Sequence, residues 1–295
     1  MTDNVMFNAD LVSDLARRRV VVFIGAGVSK SAHPNDGSIF EDWEAFLINA
    51  NKNLSNQDDK NQIEELIKNK EYLFASELLK IQLSDQWDEI LQRSFLKKAS
   101  TSPLHKAIVL LRPRIILTTN FDKLIESAWD ENTQEDFRYP KIIRKIDSEI
   151  FKLFRDEETY IIKLHGSIDE PKSLIFDKSS YQSSAFGNQY YKELLSALLL
   201  THTFLFIGFS MADPAVSGIL ELYAHNFSNM RPHYIFQSGD IGHIDSLWKE
   251  HRKLSVIRYS SENNHQQLVD FISSLGESAI ARRREILSQN QNMPA

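Results

Sequence analysis

The chain has 295 residues, 42% of them hydrophobic and 25% charged, with a formal net charge of −6. That is enough for one large α/β domain carrying an insertion, and the acidic balance speaks against direct nucleic-acid binding, which needs a basic face. There are no cysteines, which excludes disulfides, a thiol nucleophile and cysteine-held zinc.

The opening MTDNVMFNADL has no basic segment leading into an apolar core, so no secretory signal is read there and a cytoplasmic location is expected. Residues 8–18 read as a short amphipathic helix. VVVFI (Val20–Ile24) is an unbroken run of β-branched and aromatic residues, the pattern of a strand buried on both faces. It runs into Gly25, Ala26 and Gly27, where the backbone can turn sharply and leave room for a ligand. A helix expected from Val28 would aim free amides at that room. Lys30 stands where a full dinucleotide fingerprint has its third glycine.

Residues 40–51 predict a helix with Phe40, Trp43, Phe46 and Leu47 on one face. From 57 to 98, Ile63, Leu66, Leu73, Leu79, Trp87 and Ile90 recur at helical spacing without a strand signal. This predicts a helical insertion at about 52–100 within a single domain spanning 1–295. Strands are then expected at 114–118, 160–164, 174–176, 203–209, 233–237 and 255–259. Helices are expected at 121–129, 190–200, 214–224 and 266–287. The apolar stretch 194–209 is broken by Thr201, His202 and Thr203, so it reads as helix then strand rather than as a membrane span. The alternation predicts a Rossmann-like parallel sheet with helices on both faces. The tail 288–295 reads as frayed. Two arginine triplets, 17–19 and 282–284, read as solvated helix ends or as partner contacts.

Four strands end in small or polar clusters: Gly25 to Ser29, Thr118 to Asp122, His165 to Ser167, and Gly208 to Asp213. In a doubly wound sheet the carboxyl ends of the strands face the ligand, so the four clusters converge there. A buried histidine at a strand end, and Asn120, Asp122 or Asp213 as helix caps, are the plainer readings of the same residues.

In that order GAGVS, TTNFD, KLHGS and GFSMADP resemble the sirtuin family of NAD-consuming enzymes. More closely they resemble its bacterial sirtuin-like NAD hydrolases of anti-phage defence, over about residues 20–214. LIFDKSSY and Trp43 are similar to that branch as well. The resemblance implies that Gly25, Ala26, Gly27 and Ser29 lie against the diphosphate of NAD+, with Thr119 and Gly166 completing the binding set. Asn120 would hold the ribose and nicotinamide side and position the attacking water, Asp122 would orient that site or contact the nicotinamide, and His165 would be the general base. Gly208 and Ser210 would contact the adenosine half, and Asp213 would shape the loop or reach a ribose hydroxyl. NAD+ is then a substrate, and no metal is expected.

The chemistry asks for these residue types independently. Breaking the nicotinamide–ribose bond expels a neutral amide, so no general acid is needed. What is needed is a held ribose, a placed nucleophile and a base near neutral pKa. Histidine supplies the base, and an asparagine amide can hydrogen-bond ribose and water. Lys163, on the strand before His165, is given no role, and His33, His105 and His202 read as structural or exposed.

Two departures narrow the expectation. The four-cysteine zinc ribbon of protein-deacylating sirtuins is absent, and the glycine loop continues as Ser31, Ala32, His33, Pro34 instead of the family's proline–aspartate–phenylalanine–arginine run. Hydrolysis to nicotinamide and ADP-ribose is therefore expected over deacylation. Glu41, Asp42 and Glu44 read as exposed helix positions rather than a ribose-binding carboxylate. A NAD-draining enzyme implies control by an activating or inhibiting partner protein from the same defence operon, or by a homo-oligomer, with 57–98 and the arginine triplets as candidate contacts. A non-catalytic module binding NAD or ADP-ribose, and an ADP-ribosyltransferase, are the alternatives.

Overall fold

A wholly parallel seven-stranded sheet organises the residues that the computed structural model describes, 7–132 and 139–291. The strands are β1 (Val20–Ile24), β4 (Ile115–Thr118), β5 (Lys141–Ile143), β6 (Tyr160–Lys163), β7 (Thr203–Ile207), β8 (His233–Ser238) and β9 (Leu254–Tyr259); β2 (His33–Pro34) and β3 (Ala99–Ser100) form a small antiparallel pair beside it. The order across the sheet is β5-β6-β4-β1-β7-β8-β9. Without the edge strand β5 this is the doubly wound Rossmann order, with the reversal of winding at β1 and β7.

β1 lies between β4 and β7 in register, Val22 opposite Ile116 on one side and Leu205 on the other. Its alternate side chains enter two different cores. Val21 and Phe23 pack with Phe204, Phe206 and Leu194, while Val20, Val22 and Ile24 pack with Leu11, Leu15 and Ile108.

A third core lies over the carboxyl ends of the strands. Helices Trp43–Asn51, Gln57–Lys68, Tyr72–Leu83 and Gln86–Phe95 bury Phe46, Leu47, Ile63, Leu79 and Trp87 against Phe121, Ile168 and Phe176. Fully burying one such side chain contributes roughly 1.5–3 kcal/mol, against about 0–1 kcal/mol for an exposed ion pair such as Lys30–Asp42. The aromatic cluster, not the charged rim, holds this helical layer down.

Several elements differ from expectation. The helix after the glycine turn starts at Ala26 rather than Val28 and ends at Lys30. The next helix starts at Trp43, because the Asp42 carboxylate caps it by accepting the Ala45 amide at 2.9 Å. Phe40 is left outside it, packed with Ala32 and Leu124. The helix expected from 121 starts at Leu124, where the Asp122 carboxylate takes the amide. Residues 174–176 are not a strand; the Ile175 amide reaches His165 O at 3.0 Å, and one bond makes no ladder. β5 and the helix Ile244–Arg252 were not anticipated, being respectively three residues long and without a buried side chain. The last helix continues to Gln291, past the start of the expected frayed tail at Ser288; residues 292–295 lie outside the described residues.

The second arginine triplet reaches the chain just ahead of the first. Arg283 donates to the carbonyls of Ala16 (2.9 Å) and Leu15 (3.5 Å), capping the helix Ala9–Ala16, while Arg18 donates to Thr159 Oγ1. No described helix is long and apolar enough to cross a membrane.

Candidate active site

The site begins where two glycine turns cross. Gly25 N donates to Ile207 O at 3.0 Å and Gly27 N to Gly208 O at 2.9 Å, so the β1–β7 ladder continues into both loops. A Cβ on Gly25 would sit 2.6 Å from Gly208 O, and one on Gly208 2.6 Å from Val28 N; Gly208 also has φ +62°. These glycines are needed for backbone contact with each other. With the Gly25 and Gly27 amides already bonded, and a helix of only five residues behind them, the turn offers an anion less than the sequence pattern implies.

Asn120 leaves β4 through a chain of polar anchors. Thr118 Oγ1 donates to Ile24 O (3.1 Å) and accepts the Asn120 amide (3.0 Å). Asn120 Nδ2 donates to Gly25 O and to Ser29 Oγ, both at 2.9 Å. Ser29 Oγ donates in turn to Asp122 Oδ2 at 2.5 Å, and Asp122 Oδ1 accepts the Leu124 amide. Both N–H donors of Asn120 are thus engaged. What it can offer a ligand is its carbonyl oxygen, an acceptor.

His165 follows β6 and is 5% exposed. Its Nε2 lies 3.2 Å from Asp213 Oδ2 without the alignment of a hydrogen bond, and it has no hydrogen-bond partner among the described residues. Its Nδ1 lies 3.5 Å from the Tyr181 hydroxyl, which donates to Asp213 Oδ2 at 2.7 Å. Asp213 Oδ1 caps the helix Pro214–Asn226 by accepting the Val216 amide. Burial pushes the imidazole below its ordinary pKa and the Asp213 charge pulls the other way, with burial prevailing. His165 is neutral at neutral pH and can accept a proton. Burial and the Asp213 carboxylate hold the Tyr181 hydroxyl well above its usual range, so it stays protonated.

Asn120 and His165 line the same cavity, of about 680 Å³. Ala26, Gly27, Ser29, Thr119, Asp122, Gly208, Ser210 and Asp213 line it too. Gly25 and Gly166 are not among its lining residues. Gly25 contributes its carbonyl to Asn120, and Gly166, at φ +80°, is there because a Cβ would meet Ser173 O at 2.2 Å. Glu41, Asp42 and Glu44 also line the cavity; Glu44 is an exposed helix position as expected, whereas Glu41 and Asp42 are half-buried and precede the helix. Asp42 pairs with Lys30, and Glu44 accepts from the Tyr72 hydroxyl at 2.5 Å.

Sequence reasoning missed Tyr181, and noticed Trp43 only as a helix-face residue and a point of family similarity. Trp43 stacks on Tyr181 with ring centres 5.9 Å apart and planes at 13°, so the helical layer roofs the His165–Asp213 pair. Tyr181 opens a π-helical turn, Tyr181–Phe186, a rare form that often marks functional positions. The motif LIFDKSSY was the one available pointer to it.

Residues 114–257 match the family model of the SIR2-like domain. The chain is 26% identical to the NAD(+) hydrolase ThsA of Bacillus cereus (strain MSX-D12) over 289 residues, 97% of this chain and 54% of that protein. It is 31% identical to the NAD(+) hydrolase ThsA of Enterococcus faecium over 149 residues, 50% of this chain and 30% of that protein. Defense-associated sirtuin 2 of Bacillus subtilis is 24% identical over 208 residues, 68% of this chain and 19% of that protein. The chain spans about half, or less, of the length of these relatives.

Proposed function

From a chain that carries a SIR2-like domain over residues 114–257, we propose an NAD+ glycohydrolase. Water adds to the C1′ carbon of the nicotinamide riboside, the C–N bond breaks, and nicotinamide, ADP-ribose and a proton result. NAD+ is the substrate in this reading.

The observation that carries this reading is the cavity wall itself. It sets the free carbonyl oxygen of Asn120 and the buried imidazole of His165, whose Nε2 makes no hydrogen bond among the described residues, in one chamber with the crossing glycine turns. Asn120 Oδ1 accepts from the water or a ribose hydroxyl. Neutral His165 takes the proton released as water attacks. Asp213 stabilises the imidazolium that forms. Ala26, Gly27 and Ser29 face the diphosphate, with Gly208 and Ser210 towards the adenosine half. The names of the relatives, NAD(+) hydrolase and defense-associated sirtuin, support the same activity and a role in defence; a cytoplasmic location goes with this reading. Control of the enzyme then falls to a partner protein or to a second copy of the chain.

The test is nicotinamide release from NAD+ by the purified protein, alone and with proteins encoded beside it. Turnover lost in Asn120→Ala and His165→Ala supports the proposal. NAD+ that raises the melting temperature but is never cleaved would make this a binding module instead. ADP-ribose found attached to an acceptor would make it a transferase.

A further inference from the structure

Lys163 ends β6 with its side chain 0% exposed, an uncommon place for an ammonium. An ammonium has three N–H donors, and each finds an acceptor. Lys163 Nζ donates to Glu126 Oε1 at 3.2 Å, to Phe121 O at 3.3 Å, and to Asp122 O. Glu126, on the helix Leu124–Asp130, is 3% exposed.

Two of the three acceptors are main-chain carbonyls of the turn that bears Asn120 and Asp122. Phe121 O also accepts the Ile168 amide at 3.0 Å and the Ser167 hydroxyl at 3.5 Å, from the turn that follows His165. Both turns therefore hang on one anchor. An apolar pair of similar volume would fill this space as stably as the ions. It could not hold two carbonyls.

We propose that Lys163, with its charge balanced by Glu126, is a positioning residue. It fixes the 120–122 turn against the strand that bears His165, so that the Asn120 carbonyl oxygen and the imidazole address one point in the cavity. The proposal rests on the glycohydrolase reading of that cavity.

The test uses the full chain. Lys163→Met alone strands a buried carboxylate and is expected to melt early. Lys163→Met/Glu126→Leu removes both charges and is the informative variant. It is expected to fold, to keep the KM for NAD+ within about threefold, and to lose about tenfold or more in kcat. Combined with Ser29→Ala, which loosens the same turn, the losses are expected to fall short of their product. Hydrogen exchange at the Leu124 and Ile168 amides is expected to speed up in the double variant. A folded double variant with unchanged kcat, full multiplication of the two losses, or unchanged exchange overturns the proposal. Wild-type protein that never releases nicotinamide sinks the glycohydrolase reading instead, and the exchange measurement then decides the anchor by itself.

Discussion

His165 Nε2 and Asp213 Oδ2 lie 3.2 Å apart, at the ends of two strands that are not neighbours in the sheet. The carboxylate is also bound to the Tyr181 hydroxyl and to a helix terminus. The imidazole and the carboxylate beside it are thereby tied to separate elements, and Trp43 covers the junction.

This relationship has a pH signature. Under the proposed glycohydrolase reaction the neutral imidazole is the active form, and burial holds its pKa below 6.5 while Asp213 raises it. Replacing Asp213 with Asn removes the raising influence, so the acid limb of the kcat profile should move to lower pH. The rate on the plateau should fall about tenfold, as the imidazolium loses its counter-charge. A profile measured from pH 4 to 8 checks both. A limb that moves upward contradicts the assignment.

Ser29 is the hinge between Asn120 and Asp122, accepting from one and donating to the other. Ser29→Ala leaves the Asn120 amide one acceptor short and takes the donor from Asp122 Oδ2, leaving that carboxylate held, among the described residues, only by the Leu124 amide. We expect kcat to drop about tenfold with a smaller change in KM, as for a misplaced positioning group. Steady-state kinetics on NAD+ decides this.

The crossing of the glycine turns can be tested by stability. Gly208→Ala forces a Cβ within 2.6 Å of Val28 N at φ +62°, and should destabilise by roughly 1–3 kcal/mol or more. Gly218→Ala, inside the helix Pro214–Asn226 with open space around it, should stabilise by about 0.5–1 kcal/mol. Thermal melting of the two variants should move in opposite directions.

The aromatic core of the helical layer depends on Phe176, which touches Trp43, Phe46, Trp87, Phe95 and Phe121. Phe176→Ala should lose about 3–5 kcal/mol. Because the cluster also packs on the Asn120 turn through Phe121, the KM for NAD+ should rise in the fraction that remains folded.

Acid should weaken the fold. Burial holds His105, His202 and His233 at about 4 against an ordinary 6.5. The unfolded chain therefore binds protons that the folded chain refuses, so stability is full above pH 6.5 and declines as the pH falls towards 4. Melting temperature followed across that window checks the sign, and His233→Gln should flatten the slope.

The apolar runs and the alternation of strand and helix already specify the parallel sheet, since period and burial are local properties of sequence. The four polar clusters could be assigned to one end of that sheet for the same reason. One boundary was not legible, because a side-chain cap decides it: Asp42 starts its helix later than the apolar pattern suggests. β5 escaped notice because a three-residue, half-exposed edge has no pattern to read.

By itself the sequence determined which residue types stand where the strands end, and hence the chemistry on offer. Tertiary structure alone decided what each of them touches. It made Gly25 part of a backbone crossing, set Asp213 against His165, placed Tyr181 under Trp43, and buried the Lys163 ammonium beneath the Asn120 turn. The physical reason is range. Propensity and periodicity act over a few neighbouring residues, whereas an ion pair or a Cβ clash depends on chain segments brought together only when the sheet closes.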